Sequence, residues 1–327
     1  YYLFSNNFPS IFAGKEENLM ELSSIKHIDP AQIADFKADV FITTLGFESR
    51  STTVARSFEK CDCRKLALEP PNSIKEFSYQ ENSKYLHDNG FKLIKVDSDL
   101  PDVEAILRAS PEKNINVAID CTNMPPRWYY EFFRWFDEKQ DGEEKVRMRI
   151  AYTMASYVRQ PGSRKVKEIS DFLKAESRPA NGKKVALLLG VGQEKKVSES
   201  IYKMINPDLL YLFYADPPAE KKFVEKVFIN NHKLINEAPI RNLVAYPIRN
   251  AQAIYQSLIN TILPLRNEYT IVLIPQGPKI FSVVSMLVHM GYPDIRISYA
   301  RLKKSPASDR LPKDAPVVMD ILFEGED

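Results

Sequence analysis

The same short signatures occur twice in this chain, in the same order and at a nearly constant spacing. Thr44-Leu45-Gly46 corresponds to Leu188-Leu189-Gly190, 144 positions later. Glu69-Pro70-Pro71 corresponds to Asp216-Pro217-Pro218 at 147, and each acid is followed six residues on by a lysine, Lys75 or Lys222. Asn123-Met124-Pro125-Pro126-Arg127 matches Pro275-Gln276-Gly277-Pro278-Lys279 at about 152, and Tyr152 matches Tyr299 at 147. Any two α/β segments share apolar runs, but four ordered coincidences of turn chemistry point to internal duplication. A chain of 327 residues then divides into two units of ordinary domain size.

Each signature follows or ends a short apolar run rich in β-branched and aromatic residues, the pattern of a strand buried in a parallel sheet. In the first half these runs are 39–45, 65–69, 92–97, 116–120 and 149–152; in the second they are 184–189, 209–215, 243–247, 270–274 and 294–299. Helix-period segments lie between them, including 52–59, 103–107 and the aromatic-rich 128–136. The expected fold is therefore α/β: two tandem Rossmann-like units, each with a parallel sheet of about five strands. Residues 1–158 form the first unit with an N-terminal arm, and 159–183 a linker holding a short charged helix. Residues 184–327 form the second unit, whose Pro-punctuated arm ends in a strand-like run, 317–323, that extends one sheet edge.

Composition narrows the function. With 45 basic and 43 acidic side chains the net charge is +2, too small a field to draw the chain onto duplex nucleic acid or an anionic membrane. No run of about 18 apolar residues occurs. Cys61, Cys63 and Cys121 give neither a disulfide framework nor, with four scattered histidines, a zinc spacing. The reduced cytosol is the expected compartment. The start at Tyr1 lacks the pattern of a signal peptide.

In open parallel sheets, ligands bind beyond the carboxyl ends of the strands. The candidate ligand-binding residues are accordingly those of four turns. Gly46, Phe47, Glu48, Ser49, Arg50 and Ser51 combine a tight turn, hydroxyls and a bidentate cation suited to phosphate. In the second half, Gly190, Gly192 and Gln193 begin like a dinucleotide fingerprint, but Lys195 stands at the third glycine position, and no phosphate-loop motif occurs. No cofactor is expected. Thr122, Asn123, Met124 and Arg127 in one half, and Gln276, Gly277 and Lys279 in the other, place a cation at a helix start, where it opposes the helix dipole unless an anion binds. Arg50, Arg127 and Lys279 are expected to line one pocket, and replacing Arg127 and Lys279 with alanine to abolish binding at nearly unchanged thermal stability.

The order strand, glycine loop, helix, two further strand-helix steps, then a strand ending in a polar turn with Lys or Arg resembles the CARF domains, the CRISPR-associated Rossmann-fold sensors. Two fused copies resemble SAVED domains of bacterial antiphage signalling, over roughly residues 38–301. The motif is degenerate: Thr122-Asn123 replaces a glycine pair, and Gln276-Gly277-Pro278-Lys279 approaches the pattern. The resemblance implies a cleft that binds a cyclic or linear oligonucleotide and controls an effector on a separate chain or ahead of Tyr1. Two other classes compete with this sensor. One is a nucleotide-processing enzyme, such as a ring nuclease, using Glu48, Glu69, Asp120 or Asp216. The other is an assembly scaffold that presents the aromatics of 128–136.

Overall fold

The structure, a computed structural model, describes residues 20–97, 100–107, 115–137, 145–158, 164–172, 183–303 and 306–325. The first half contributes strands β1 (Met20–Ile28), β2 (Val40–Thr44), β3 (Arg64–Glu69), β4 (Lys92–Lys95), β5 (Ile115–Asp120) and β6 (Lys145–Tyr152). Its helices are α1 (Thr53–Ser57), α2 (Tyr79–Asp88), α3 (Val103–Leu107) and α4 (Pro126–Asp137). The second half contributes β7 (Val166–Asp171), β8 (Lys184–Gly190), β9 (Leu209–Ala215), β10 (Leu243–Tyr246), β11 (Tyr269–Pro275) and β12 (Arg296–Leu302). With them come α5 (Val197–Ile205), α6 (Lys221–Glu237), α7 (Ala251–Ile262) and α8 (Lys279–Gly291), and the chain closes with β13 (Val317–Gly325).

Two mixed, mostly parallel sheets result. The seven-stranded sheet runs β1-β13-β6-β5-β2-β3-β4, and the six-stranded one β10-β9-β8-β11-β12-β7. The five parallel strands of each half follow one order, third-second-first-fourth-fifth, that of a doubly wound Rossmann-like unit. In such an order the crevice opens between the first and fourth strands, which are β2 and β5 in one sheet and β8 and β11 in the other. All of β2 is buried, as is β8 from Ala186 onward, which is why both read as continuous apolar runs rather than alternations.

Two expectations change. The linker was expected to hold a short helix, but Val166–Asp171 is a strand pairing antiparallel with β12. Its outward lysine and glutamate mark a solvated edge, and the flanking 159–163 and 173–182 lie outside the described residues. The run 317–323 is a strand, yet it returns to the first sheet and lies between β6 and β1, so the last residues complete the first unit rather than the second. Strand β1 itself had no counterpart in the sequence reading, and the arm 1–13 lies outside the described residues.

The halves meet through α4 and α8. Tyr129 donates its hydroxyl hydrogen to Ser282 Oγ at 2.9 Å, and Ile119, Phe133, Phe281 and Leu287 belong to one continuous core drawn from both. Of the aromatic run of α4, Trp128, Tyr129, Tyr130, Phe132 and Phe133 are buried in this packing. Among the described residues no helix is long and apolar enough to cross a membrane.

Candidate ligand-binding cleft

The turn after β2 is closed by the chain itself. Ser49 donates its backbone N–H to Asp309 Oδ1 at 2.7 Å and its hydroxyl to Asp309 Oδ2, so a carboxylate from 260 positions away satisfies the donors that a phosphate would have used. Arg50 is only 5% exposed; its Nε pairs with Glu48 at 2.6 Å and its Nη1 donates to Thr153 O at 2.5 Å. The flanking salt bridge to Glu48 and the neighbouring Tyr152 hold the guanidinium protonated against the cost of burial. Phe47 packs on Phe77, and Ser51 Oγ accepts from Asn123 Nδ2 at 2.6 Å.

Both glycine loops serve turn-to-turn packing. A Cβ on Gly46 would lie 2.6 Å from Asn123 Cγ, and one on Gly190 would lie 2.5 Å from Gln276 O. In each half the first-strand turn is pressed against the fourth-strand turn so closely that only glycine fits, which is an architectural reason for the motif. Gly192 and Gln193 are held by their carbonyls, which accept from Asn231 Nδ2 at 3.0 Å and Asn230 Nδ2 at 2.5 Å.

Lys279 crosses between the halves. Half-buried in the wall at the start of α8, it donates from Nζ to Thr122 O and to Met124 O, both at 2.8 Å, and so caps the turn after β5 of the other unit. Thr122 N in turn donates to Asp120 Oδ1 at 2.9 Å, and Thr43 Oγ1 donates to Asp120 Oδ2 at 3.0 Å. Burial raises the Asp120 pKa, against the pull of these hydrogen bonds and of Lys279. Burial likewise pushes the Lys279 ammonium down to about 8, with Arg50 acting in the same direction and Glu48, Asp120 and Cys121 opposing. Cys121, fully buried and donating to Ala151 O at 3.3 Å, has its thiol pushed up to about 12 by burial and is no nucleophile at neutral pH.

The Lys279 shift carries a stability signature. Between about 8 and the ordinary lysine value of 10.5 the unfolded chain holds this proton and the folded chain does not, so stability rises with pH across that window. Urea unfolding of the wild type and Lys279→Met at pH 7.5, 8.5 and 9.5 should show the wild type gaining on the variant above pH 8. Parallel profiles would mean that the ammonium is not desolvated.

Between the halves a cleft of about 630 Å³ opens at the carboxyl ends of the strands. It takes Pro70 to Asn72 from the turn after β3, Pro125 to Tyr129 at the start of α4, Pro275, Gln276, Gly277 and Lys279 around the start of α8, and Tyr299 to Leu302 from β12. Among the described residues, Arg127, Arg164, Lys279 and Arg301 line it against one carboxylate, Glu194. Arg164 leans on Lys303 O at 3.3 Å and Arg301 pairs with Glu168 at 3.1 Å. Arg127, half-buried, has no hydrogen bond or ion pair among the described residues. Tyr299 and Phe172, ring centroids 4.9 Å apart, supply flat apolar surface. No family model, curated protein or solved structure matches the chain.

The expected group of site residues is therefore divided. Arg127, Gln276, Gly277 and Lys279 line the cleft together, whereas Arg50, Ser49, Thr122 and the glycine loops do not. Arg50 is spent inside a buried ion pair, and Ser49 is spent on Asp309. The sequence reading missed Arg164 and Phe172 of the linker, Glu194 just after Gln193, and Arg301 on β12. Pro70, Pro71 and Tyr299 had already stood out as repeated signatures, without a role.

Proposed function

We propose that this chain is a sensor that binds a nucleotide or short oligonucleotide in the cleft between two duplicated Rossmann-like units and relays binding to a partner effector. Arg127 carries the reading: a half-buried cation in the first turn of a helix, opposed by the helix dipole and with no partner among the described residues, is stable next to a bound anion. Two further arginines, Arg164 and Arg301, flat rings for base stacking and a volume in the usual small-ligand range fit the same ligand. Duplication is supported by the shared strand order and by equivalent turn packing at Gly46 and Gly190. The CARF and SAVED resemblance extends the proposal to antiphage signalling in the cytosol.

The test is direct. Small molecules released by heating the purified protein are identified by mass spectrometry and then incubated with fresh protein. A phosphorylated nucleoside compound recovered unchanged supports the sensor. Recovery of cleaved or ring-opened product replaces it with a nucleotide-processing enzyme.

A further inference from the structure

Glu194 does not fit a cleft built for anions alone. Among the described residues it is the one carboxylate of the lining and makes neither an ion pair nor a hydrogen bond, although it is half-buried and Arg127, Arg164, Lys279 and Arg301 share the cleft with it. Its Oε2 lies against Gly192, where a Cβ would come within 2.6 Å, and that glycine backs onto Gly277. An ionised carboxylate only accepts hydrogen bonds. Facing a purely anionic ligand, it would add repulsion in a partly desolvated site and weaken the binding that Arg127 supplies. Two charges of opposite sign, close enough to share one cleft, not paired with each other and without partners among the described residues, call for a ligand that carries both an anion and a donor.

We propose that Glu194 is a specificity-determining residue: it accepts hydrogen bonds from a neutral donor group of the ligand, a sugar hydroxyl or a base N–H, while Arg127 holds the phosphate. The inference rests on the nucleotide reading and sharpens it. The cleft then selects nucleosides from simple polyphosphates, because inorganic anions satisfy Arg127 and leave Glu194 repelled. Selection comes from a penalty on the wrong ligand as well as from a contact with the right one.

The experiment uses four 5′-phosphorylated ribo-homodinucleotides (pApA, pCpC, pGpG and pUpU), their 2′-deoxy counterparts and inorganic pyrophosphate, titrated calorimetrically into wild type and Glu194→Gln. Glutamine keeps the shape and removes the charge. The expected result is a loss of about tenfold or more in affinity for the best ribodinucleotide, the size of a charge-assisted hydrogen bond, with pyrophosphate affinity unchanged or increased. If the wild type prefers the ribo- over the 2′-deoxydinucleotide and the variant does not, the donor is the sugar hydroxyl. If the wild type binds both equally and the variant weakens both, the donor is on the base. Equal weakening of dinucleotide and pyrophosphate, or no change in either, overturns the role of Glu194 and leaves the nucleotide reading standing. No binding of any dinucleotide by the wild type overturns both.

Discussion

Replacing Arg149 with leucine lowers the unfolding free energy by about 3–5 kcal/mol, the cost of stranding one partner of a buried ion pair. Arg149 on β6 forms a fork on Asp320 of β13, with Nε to Oδ1 at 2.6 Å and Nη2 to Oδ2 at 2.8 Å. Its remaining nitrogen donates to Gln32 O at 2.6 Å and Ile33 O at 3.1 Å, and the guanidinium lies over the Phe36 ring. One side chain thus fixes the returning C-terminal strand, its neighbour in the sheet and the turn after β1. Leucine leaves Asp320 and two carbonyls unpaired in a mostly buried position. Chemical denaturation measures the loss, which should appear in a single transition because β13 and the shared α4/α8 core tie the two halves together. A loss under about 1 kcal/mol would mean that the fork is a solvated surface pair.

The same returning strand marks the limit of the sequence. Strands buried on both faces announce themselves as contiguous apolar runs, and Leu209–Ala215 was legible to the residue for that reason. Edge strands do not: β7, Val-Lys-Glu-Ile-Ser-Asp, has a solvated face and a charge content that reads equally as helix, and β1 finds its partner about three hundred positions away. No local pattern says which sheet Val317–Gly325 will join, because a long connection allows either.

Site residues divide along the same line. The two cation turns were legible because proline followed by a cation at a helix start is a local contradiction. What each cation does was not, since Lys279 is claimed by two carbonyls of the other half and Arg50 by Glu48 and Thr153. Ser49 looked like a phosphate ligand until Asp309 arrived from the far end of the chain.

Lys279 is consequently a poor probe of binding. Removing its ammonium strands the Thr122 and Met124 carbonyls and costs stability, contrary to the expectation that alanine there is harmless. Arg127 is the clean probe. It relinquishes no protein partner among the described residues, and its charge opposes the α4 dipole, so Arg127→Ala should leave the melting temperature unchanged or slightly raised. Its effect falls on the ligand instead. Losing a charge-assisted phosphate contact costs about 1.5–3 kcal/mol, or roughly ten- to hundredfold in affinity.

Calorimetric titration of wild type and Arg127→Ala with cyclic and linear oligonucleotides, alongside their thermal unfolding, therefore decides whether the cleft holds a phosphorylated ligand. The expected result is saturable binding by the wild type, affinity at least about tenfold weaker in the variant, and matching stability in both. Equal affinity in the two proteins, or no binding by the wild type across the panel, would contradict it.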